Sequence, residues 1–225
     1  MESTGEESIR DARHALVEAG RRILASSLTV GSWGNLSQRV AGDGVAITPS
    51  GRSYESLQDE DIVITGLDGS IREGHLIPSS ELPLHLAIYR ALPQACAIVH
   101  THSLYASVLA VQHRDLPPLV EDLVQLTGGP VRCAAYALPG TEALGDNVVA
   151  ALDGHRAALL ANHGAVCWGT TLAEALTCAE LLEKASHIYV AAGGEGKVFP
   201  LSEETCRFIS GFYEAHYKKR QEGLE

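Results

Sequence analysis

The chain has 225 residues, and its 17 Lys and Arg against 28 Asp and Glu give a net charge of −11 at pH 7. Because this balance is acidic and no long basic cluster interrupts it, nucleic acid and anionic membrane surfaces are disfavoured as partners. The longest uncharged stretches carry polar residues that are costly in hydrocarbon, and the N-terminus lacks the apolar run of a secretory signal, so we expect a cytoplasmic protein.

Helical and strand patterns alternate from the start of the chain. Apolar residues at helical spacing predict an opening helix over Ser8–Leu28. Glycines then punctuate short apolar runs, which predict strands at Val45–Thr48 and Ile62–Thr65. Asp68-Gly69 is typical of a hairpin turn. A further helix is expected to begin around Ser79-Ser80-Glu81, with one of the serines as its N-cap.

The second half of the chain continues this alternation. Strands are expected at Ala95–Val99, Val131–Ala135, Ala157–Leu160 and Ala165–Trp168. Helices are expected at Leu104–Val111, Thr141–Leu152, Leu172–Ala192 and Leu201–Tyr217, with a loop that enters a short helix over Leu116–Thr127. Because strands and helices interleave without a linker, we expect one layered α/β domain spanning residues 1–225.

The His100-Thr101-His102 segment is the first candidate site. In extended backbone, side chains two residues apart project to the same side, so both imidazoles can face one ion. Zinc at catalytic sites is bound by three protein ligands, which can be neutral imidazole nitrogens, and keeps one coordination position open. The pair alone fits surface histidines equally well. His163, which follows a short apolar strand and precedes Gly164, would complete an open triad.

Glu81 is the second candidate. A carboxylate at the start of a helix is favoured by the helix dipole, and this structural explanation competes with a role as acid or base beside a metal ion. Ser79 and Ser80 precede it and supply hydroxyl and N–H groups where a helix N-terminus attracts anions.

Two glycine-punctuated segments, Gly31–Ser37 and Thr48–Gly51, are the third candidate. Small polar side chains between glycines allow backbone N–H groups to converge on a phosphate, although ordinary turns have the same composition. Neither segment matches a nucleotide-binding loop.

Five motifs, taken together and in order, resemble the signature of the class II aldolase/adducin family. They are Gly34-Asn35-Leu36-Ser37, Ile47-Thr48-Pro49-Ser50-Gly51, Pro78-Ser79-Ser80-Glu81, His100-Thr101-His102-Ser103 and Asn162-His163-Gly164. The resemblance implies a three-layer αβα domain around a central, largely antiparallel sheet. It also implies a homotetramer with its sites at subunit interfaces.

The same resemblance assigns roles to individual residues. Three histidines would bind one Zn²⁺ per chain, or another divalent metal ion: His100, His102 and His163. Glu81 would be the catalytic acid/base. The substrate phosphate would be held by Gly34, Asn35, Ser50, Gly51, Ser79 and Ser80. On the aldehyde side, Glu121 stands where fuculose phosphate aldolases have a tyrosine, and Tyr213 and Tyr217 are approximate candidates for a tyrosine of the C-terminal tail.

The implied activity is reversible cleavage of a ketose 1-phosphate, of the L-fuculose or 5-deoxypentulose type, into dihydroxyacetone phosphate and an aldehyde. Decarboxylases and dehydratases of the family keep the histidines and are alternatives within the same fold. A 4-epimerase would require an aspartate in place of Glu81. A non-catalytic adducin-like interaction module is a further alternative, against which the retained histidines and Glu81 argue.

Overall fold

The computed structural model describes residues 5–193 and 196–221, and the strands in this part of the chain form one mixed sheet. The strands are β1 (Asn35–Val40), β2 (Gly44–Ile47), β3 (Val63–Gly66), β4 (Ile71–Glu73), β5 (Ala97–Thr101), β6 (Arg132–Ala134), β7 (Ala157–Leu160) and β8 (Gly164–Gly169). Their order across the sheet is β4-β3-β2-β1-β5-β8-β7-β6. Among the strands of the described residues only the β6–β7 pair is parallel, which confirms the largely antiparallel sheet expected from the resemblance.

Helices cover both faces of this sheet. They are α1 (Gly5–Ala25), α2 (Leu82–Ala91), α3 (Leu104–Val111), α4 (Glu121–Thr127), α5 (Glu142–Leu152), α6 (Leu172–Ala191), α7 (Glu203–Phe212) and α8 (Lys218–Gln221). A short 3-10 turn at Asp59–Asp61 precedes β3, and a π-helical turn at Tyr213–Tyr217 joins α7 to α8. The continuous helix predicted over Leu201–Tyr217 is therefore interrupted in its last turn.

Alternating side chains of the strands divide the core into two layers. Val99 of β5 packs into the core that α1, α3, α4 and α6 cover, whereas its neighbour Ile98 packs into the core beneath α2 and α5. Successive strand residues point to opposite faces, so one buried strand serves both cores. The arrangement confirms the predicted three-layer αβα architecture.

Strand β1 lies near the centre of the sheet, between β2 and β5, although its first half falls in the segment Gly31–Ser37, whose composition is also that of ordinary turns. Only Leu36 and Val40 of its six residues are apolar, and the polar residues Asn35 and Ser37 are nevertheless buried. The run of apolar residues expected of a strand that is buried on both faces is therefore missing from β1. The hairpin predicted at Asp68-Gly69 is confirmed and joins β3 to β4, with the Gly66 N–H donating to Ser70 O at 2.8 Å.

None of the helices within residues 5–193 and 196–221 combines the length and apolar character needed to cross a bilayer.

Candidate active site

Sheet register and one tight turn bring three histidines together. His100 lies in β5 directly opposite Asn35 of β1, and His102 follows the end of the same strand. His163 lies in the turn between β7 and β8, and β8 pairs with β5 so that Ala165 faces Thr101. The end of β5 and the β7–β8 turn therefore share one edge of the sheet.

Glu81 closes the cluster from the side of α2, where it occupies the N-cap position. A serine was expected there; instead Ser79 supports the turn, because its Oγ accepts the Glu81 N–H at 3.2 Å. Glu81, His100, His102 and His163 each offer one ligand atom, and these atoms lie within 4.8 Å of one another.

The individual distances suit a shared ion. His100 Nε2 lies 3.0 Å from His102 Nε2 and 3.0 Å from Glu81 Oε2, and His163 Nε2 lies 3.4 Å from Glu81 Oε1. His100 Nδ1 donates to the Ala165 carbonyl at 3.0 Å, which leaves the Nε2 lone pair directed into the cluster. A backbone acceptor on the remote nitrogen is the usual arrangement of a metal-bound histidine.

Burial keeps two of these imidazoles neutral. It lowers the pKa of His102 to about 4, and the neighbouring rings of His100 and His163 contribute in the same direction. Burial and the His100 ring likewise lower the pKa of His163 to about 4. Neutral imidazole is the form that binds metal ions. Glu81 Oε1 is buried without a hydrogen-bond partner among the described residues, as expected of a carboxylate oxygen at a ligand site.

The Glu81 carboxylate is held ionised in spite of its burial. Burial alone would raise its pKa, but the histidines His100 and His163 and the hydrogen bond from Asn35 outweigh that effect and keep the pKa well below its usual range. The Asn35 Nδ2–H donates to Glu81 Oε2 at 2.9 Å. The carboxylate is therefore available as a proton acceptor at neutral pH.

An open cavity of about 410 Å³ leads down to this cluster. Its lining consists of Ser32, Trp33, Gly34, Asn35, Pro49, Ser50, Gly51, Ser79, Ser80, Glu81, His102, Pro139 and His163. All residues predicted to hold phosphate are among them, together with the acid/base candidate and two of the three histidines. His100 lies fully buried below the others.

Backbone pairing brings Thr48–Gly51 and the Ser79-Ser80 segment to the same wall of the cavity. The Ser50 N–H donates to Ile77 O at 2.9 Å, and the Ser79 N–H donates to Thr48 O at 3.1 Å. The segment before α2 thereby lies along the one after β2. No Lys or Arg occurs among the described lining residues, so an anion here would meet hydroxyl groups, N–H groups and the positive end of α2.

The sequence patterns did not single out Trp33 as a site residue, yet it stands at the cavity. Its side chain is 66% exposed, and its ring centroid lies 6.0 Å from that of His102 in a stacked arrangement. A tryptophan inside the glycine-rich segment Gly31–Ser37 was the available signal, because turn residues are seldom large and aromatic. Pro139, from the loop before α5, gave no such signal.

With this geometry established, comparison with known proteins identifies the family. Residues 14–190 match the family described as Class II Aldolase and Adducin N-terminal domain. The chain belongs to the class II aldolase/adducin family.

Three relatives to which this chain is similar are named as aldolases. A 5-deoxy-D-ribulose 1-phosphate aldolase of Bacillus thuringiensis serovar kurstaki is 40% identical over 198 residues, which cover 87% of this chain and 92% of the relative. An L-fuculose phosphate aldolase of Escherichia coli is 36% identical over 72% of this chain and 75% of its own length. A solved L-fuculose 1-phosphate aldolase superposes with a TM-score of 0.87 at 34% identity, covering 91% of this chain and 96% of that structure. This chain is an aldolase with a role in sugar phosphate metabolism.

The same observations indicate the kind of cofactor that this chain requires. The class II aldolase family and the cluster of three histidines and one glutamate indicate a divalent metal ion. Carboxylate and imidazole donors suit several such ions.

Three candidates on the aldehyde side do not line this chain's class II aldolase cavity. Glu121 is exposed at the start of α4. Tyr213 is buried in the core under α4 and α6, with its ring centroid 6.0 Å from that of Tyr217. A role for any of them at the site of a neighbouring subunit remains a prediction from the resemblance.

Gly34 is required by the class II aldolase site for steric reasons. Its φ of +74° suits glycine, and a Cβ placed on it would lie 2.6 Å from the carbonyl oxygen of His100. We expect Gly34→Ala to lower the free energy of unfolding by about 2–3 kcal/mol, from backbone strain and this contact together. Chemical denaturation measures the change.

Gly31→Ala is the matched control for this prediction. Gly31 has a similar φ of +64°, but nothing lies within 4 Å of a Cβ placed there. We therefore expect a loss of only about 1 kcal/mol, from strain alone. Equal losses in the two variants would show that the contact with His100 is unimportant.

Proposed function

We propose that the chain is a zinc-dependent aldolase that reversibly cleaves a ketose 1-phosphate to dihydroxyacetone phosphate and a short aldehyde. The observation that carries the proposal is the position of Glu81. Its carboxylate lies beside the three histidines and lines the same cavity as Ser50, Gly51, Ser79 and Ser80, which we call the Ser/Gly wall, so a single small ligand could reach both groups. A 5-deoxypentulose 1-phosphate is the first candidate substrate, because the relative named for one is 40% identical to this chain, against 36% for the Escherichia coli fuculose phosphate aldolase.

The Ser/Gly wall would hold the phosphate group. Asn35, Ser50, Gly51, Ser79 and Ser80 line the same side of the cavity, at the N-terminus of α2. Neutral donors and the helix dipole are sufficient to bind a single phosphate. This allows a protein of net charge −11 to bind a small anion. Phosphate held here would orient the carbon chain of the substrate towards Glu81.

The divalent ion that His100, His102 and His163 would hold supplies Lewis-acid polarisation of the ketose carbonyl. In cleavage, the C4 hydroxyl loses its proton, the aldehyde C=O forms and the C3–C4 bond breaks, with its electron pair moving towards the carbonyl oxygen. Glu81 would take up a proton from solvent, in exchange for the one that the C4 hydroxyl releases, and deliver it to C3, which becomes the hydroxymethylene carbon of dihydroxyacetone phosphate. In the direction of condensation, the ionised carboxylate would remove that proton.

The proposal includes the assembly and location implied by the family. A cytoplasmic homotetramer of single-domain subunits, each spanning residues 1–225, would place a neighbour's residues over the cavity mouth. Glu121 or Tyr217 of that neighbour, both of them exposed, would then accept the proton of the C4 hydroxyl, whereas Tyr213 is buried in its own subunit's core. Exposed apolar side chains near the mouth, Val30 and Trp33 among them, support burial against a partner.

The substrate proposal is tested with zinc-loaded protein and three ketoses. We expect 5-deoxyribulose 1-phosphate and L-fuculose 1-phosphate to release dihydroxyacetone phosphate, measured by enzymatic reduction of that product. The unphosphorylated 5-deoxyribulose should react with a kcat/KM lower by at least about 100-fold, because several hydrogen bonds to phosphate are lost. Release of carbon dioxide or water from a related sugar acid or ketose, with no cleavage of any ketose phosphate, would instead indicate a decarboxylase or dehydratase.

A further inference from the structure

A buried chain of hydrogen bonds leads from Glu81 into the core beneath α2. Asn35 Nδ2 contacts Glu81 Oε2 at 2.9 Å, and Asn35 Oδ1 contacts His85 Nε2 at 2.5 Å. His85 Nδ1 contacts Ser37 Oγ at 2.6 Å, and Ser37 Oγ contacts the Tyr89 hydroxyl at 2.8 Å. We call these five residues the Glu81–Tyr89 chain. All five are buried.

The Glu81–Tyr89 chain forms because the residue spacing along helix α2 matches the spacing along strand β1. Glu81, His85 and Tyr89 are spaced four residues apart along α2 and share one helix face, whereas Asn35 and Ser37 are two residues apart in β1 and share one strand face. Four helical residues advance about 6 Å and two strand residues about 6.6 Å. The polar residues of the two elements therefore remain in register over the whole chain.

The direction of the hydrogen bonds is set by chemistry. A carboxylate can only accept, so the amide nitrogen of Asn35 faces Glu81 and its oxygen faces His85. Complete burial lowers the pKa of His85 to about 3, so its ring is neutral and has one donor and one acceptor nitrogen. Nε2–H donates to Asn35, and Nδ1 accepts from the Ser37 hydroxyl, which in turn accepts from Tyr89.

From this geometry we infer that His85 is a positioning residue, which fixes the Asn35 amide and through it the Glu81 carboxylate. The inference rests on the proposed role of Glu81 as acid/base. Without the donor at His85, the Asn35 amide could turn by 180° and present its oxygen to the carboxylate, and the two acceptors would repel each other. An apolar side chain at position 85 would pack with apolar neighbours such as Leu84 and Ile88, but it would form no hydrogen bond that orients Asn35 towards Glu81.

Two amide substitutions separate the two hydrogen bonds of His85. Glutamine can place its amide nitrogen near the position of Nε2 and so keep a donor for Asn35. Asparagine is shorter, reaches only the position of Nδ1 and keeps the contact with Ser37 alone. In the zinc-loaded, full-length enzyme we expect His85→Asn to lower kcat by about 10–100-fold with little change in KM, whereas His85→Gln stays within about threefold of the parent.

His85→Leu controls for side-chain volume. Leucine is close to histidine in size but forms no hydrogen bond, so we expect it to lose as much kcat as His85→Asn. If His85→Leu instead retains the activity of His85→Gln, a cavity explains the asparagine result and the inference is wrong. Equal activity of the asparagine and glutamine variants would also contradict it.

A double-mutant cycle tests whether His85 acts through Asn35. In an Asn35→Ala background, His85→Leu should lower kcat no further, because the amide that His85 orients is already absent. Ser37→Ala offers a second route should the His85 variants fail to fold; its smaller kcat loss should likewise disappear in the Asn35→Ala background. Additive losses would indicate a general effect on folding and would overturn the inference.

Glu81→Gln distinguishes failure of this inference from failure of the proposed function. If Glu81→Gln abolishes proton exchange while His85→Asn and His85→Leu retain the parent kcat, only the positioning role is wrong. If Glu81→Gln exchanges the proton at the parent rate, the assignment of the acid/base is wrong and the inference is wrong with it.

Discussion

Glu81→Gln is expected to slow exchange of the hydroxymethylene proton of dihydroxyacetone phosphate with solvent by about 10²–10⁴-fold, the usual contribution of a positioned acid/base. Glutamine has the size of glutamate, and its amide oxygen can accept the Asn35 hydrogen bond that Glu81 Oε2 accepts at 2.9 Å. Its amide group cannot take up the substrate proton. Exchange followed by NMR in deuterium oxide measures this step without the aldehyde.

The control must show that the variant still binds its ligands. Glu81→Gln should retain the zinc content of the parent, measured by metal analysis, and should bind inorganic phosphate with similar affinity. Glu142→Gln is the matched substitution, because Glu142 is an exposed carboxylate at the start of another helix, α5, away from the cavity. It should exchange the proton at the parent rate. Parent-rate exchange by Glu81→Gln would exclude Glu81 as the base.

The cluster of donor residues could be predicted because short-range geometry determines most of it. His100 and His102 face one side whenever the backbone between them is extended, and a strand followed by His163-Gly164 places a third imidazole at a strand end. What the sequence could not give is the pairing of β5 with β8, which brings these ends together. The ordered motifs supplied that information through the family resemblance.

Strand β1 shows where sequence patterns fail. Asn35 and Ser37 occupy buried strand positions, where apolar side chains are the usual sign of a strand. Both side chains are polar instead, because they belong to the Glu81–Tyr89 chain. The local pattern thus indicates a turn, and tertiary hydrogen bonds make the segment a central strand. A departure from the expected pattern marks the residues that support the site.

His85 lies four residues after Glu81, so helical spacing alone predicts that the two side chains share one helix face. That spacing is confirmed, since both side chains join the same hydrogen-bond chain. Its partners could not be predicted, because they come from a strand some fifty positions earlier. Contacts between distant segments require the fold, whereas contacts within one helix follow from spacing alone.

The second large effect is expected at the metal site. His102→Ala should lower zinc affinity by about 10–100-fold or more. Losses of that size are typical when a residue that supports a metal ligand is changed, and here a metal ligand itself is removed. His102 is the best choice of the three histidines, since it is only partly buried, whereas His100 is fully buried and its Nδ1 donates to Ala165 O. Removing His100 would combine metal loss with a cavity in the core.

Metal analysis after dialysis should therefore find about one zinc per parent chain and much less in His102→Ala, with activity reduced in proportion. Added zinc should raise the unfolding temperature of the parent, because a ligand that binds only the folded state stabilises it, and should have little effect on the variant. His14→Ala is the matched control, since His14 lies exposed on α1 and should leave both results unchanged. A metal-free His102→Ala enzyme with parent activity would show that the three-histidine site is not required for cleavage. The carboxylate of Glu81 would then face two neighbouring imidazoles without an ion, and polarisation of the ketose carbonyl would have to come from protein hydrogen-bond donors.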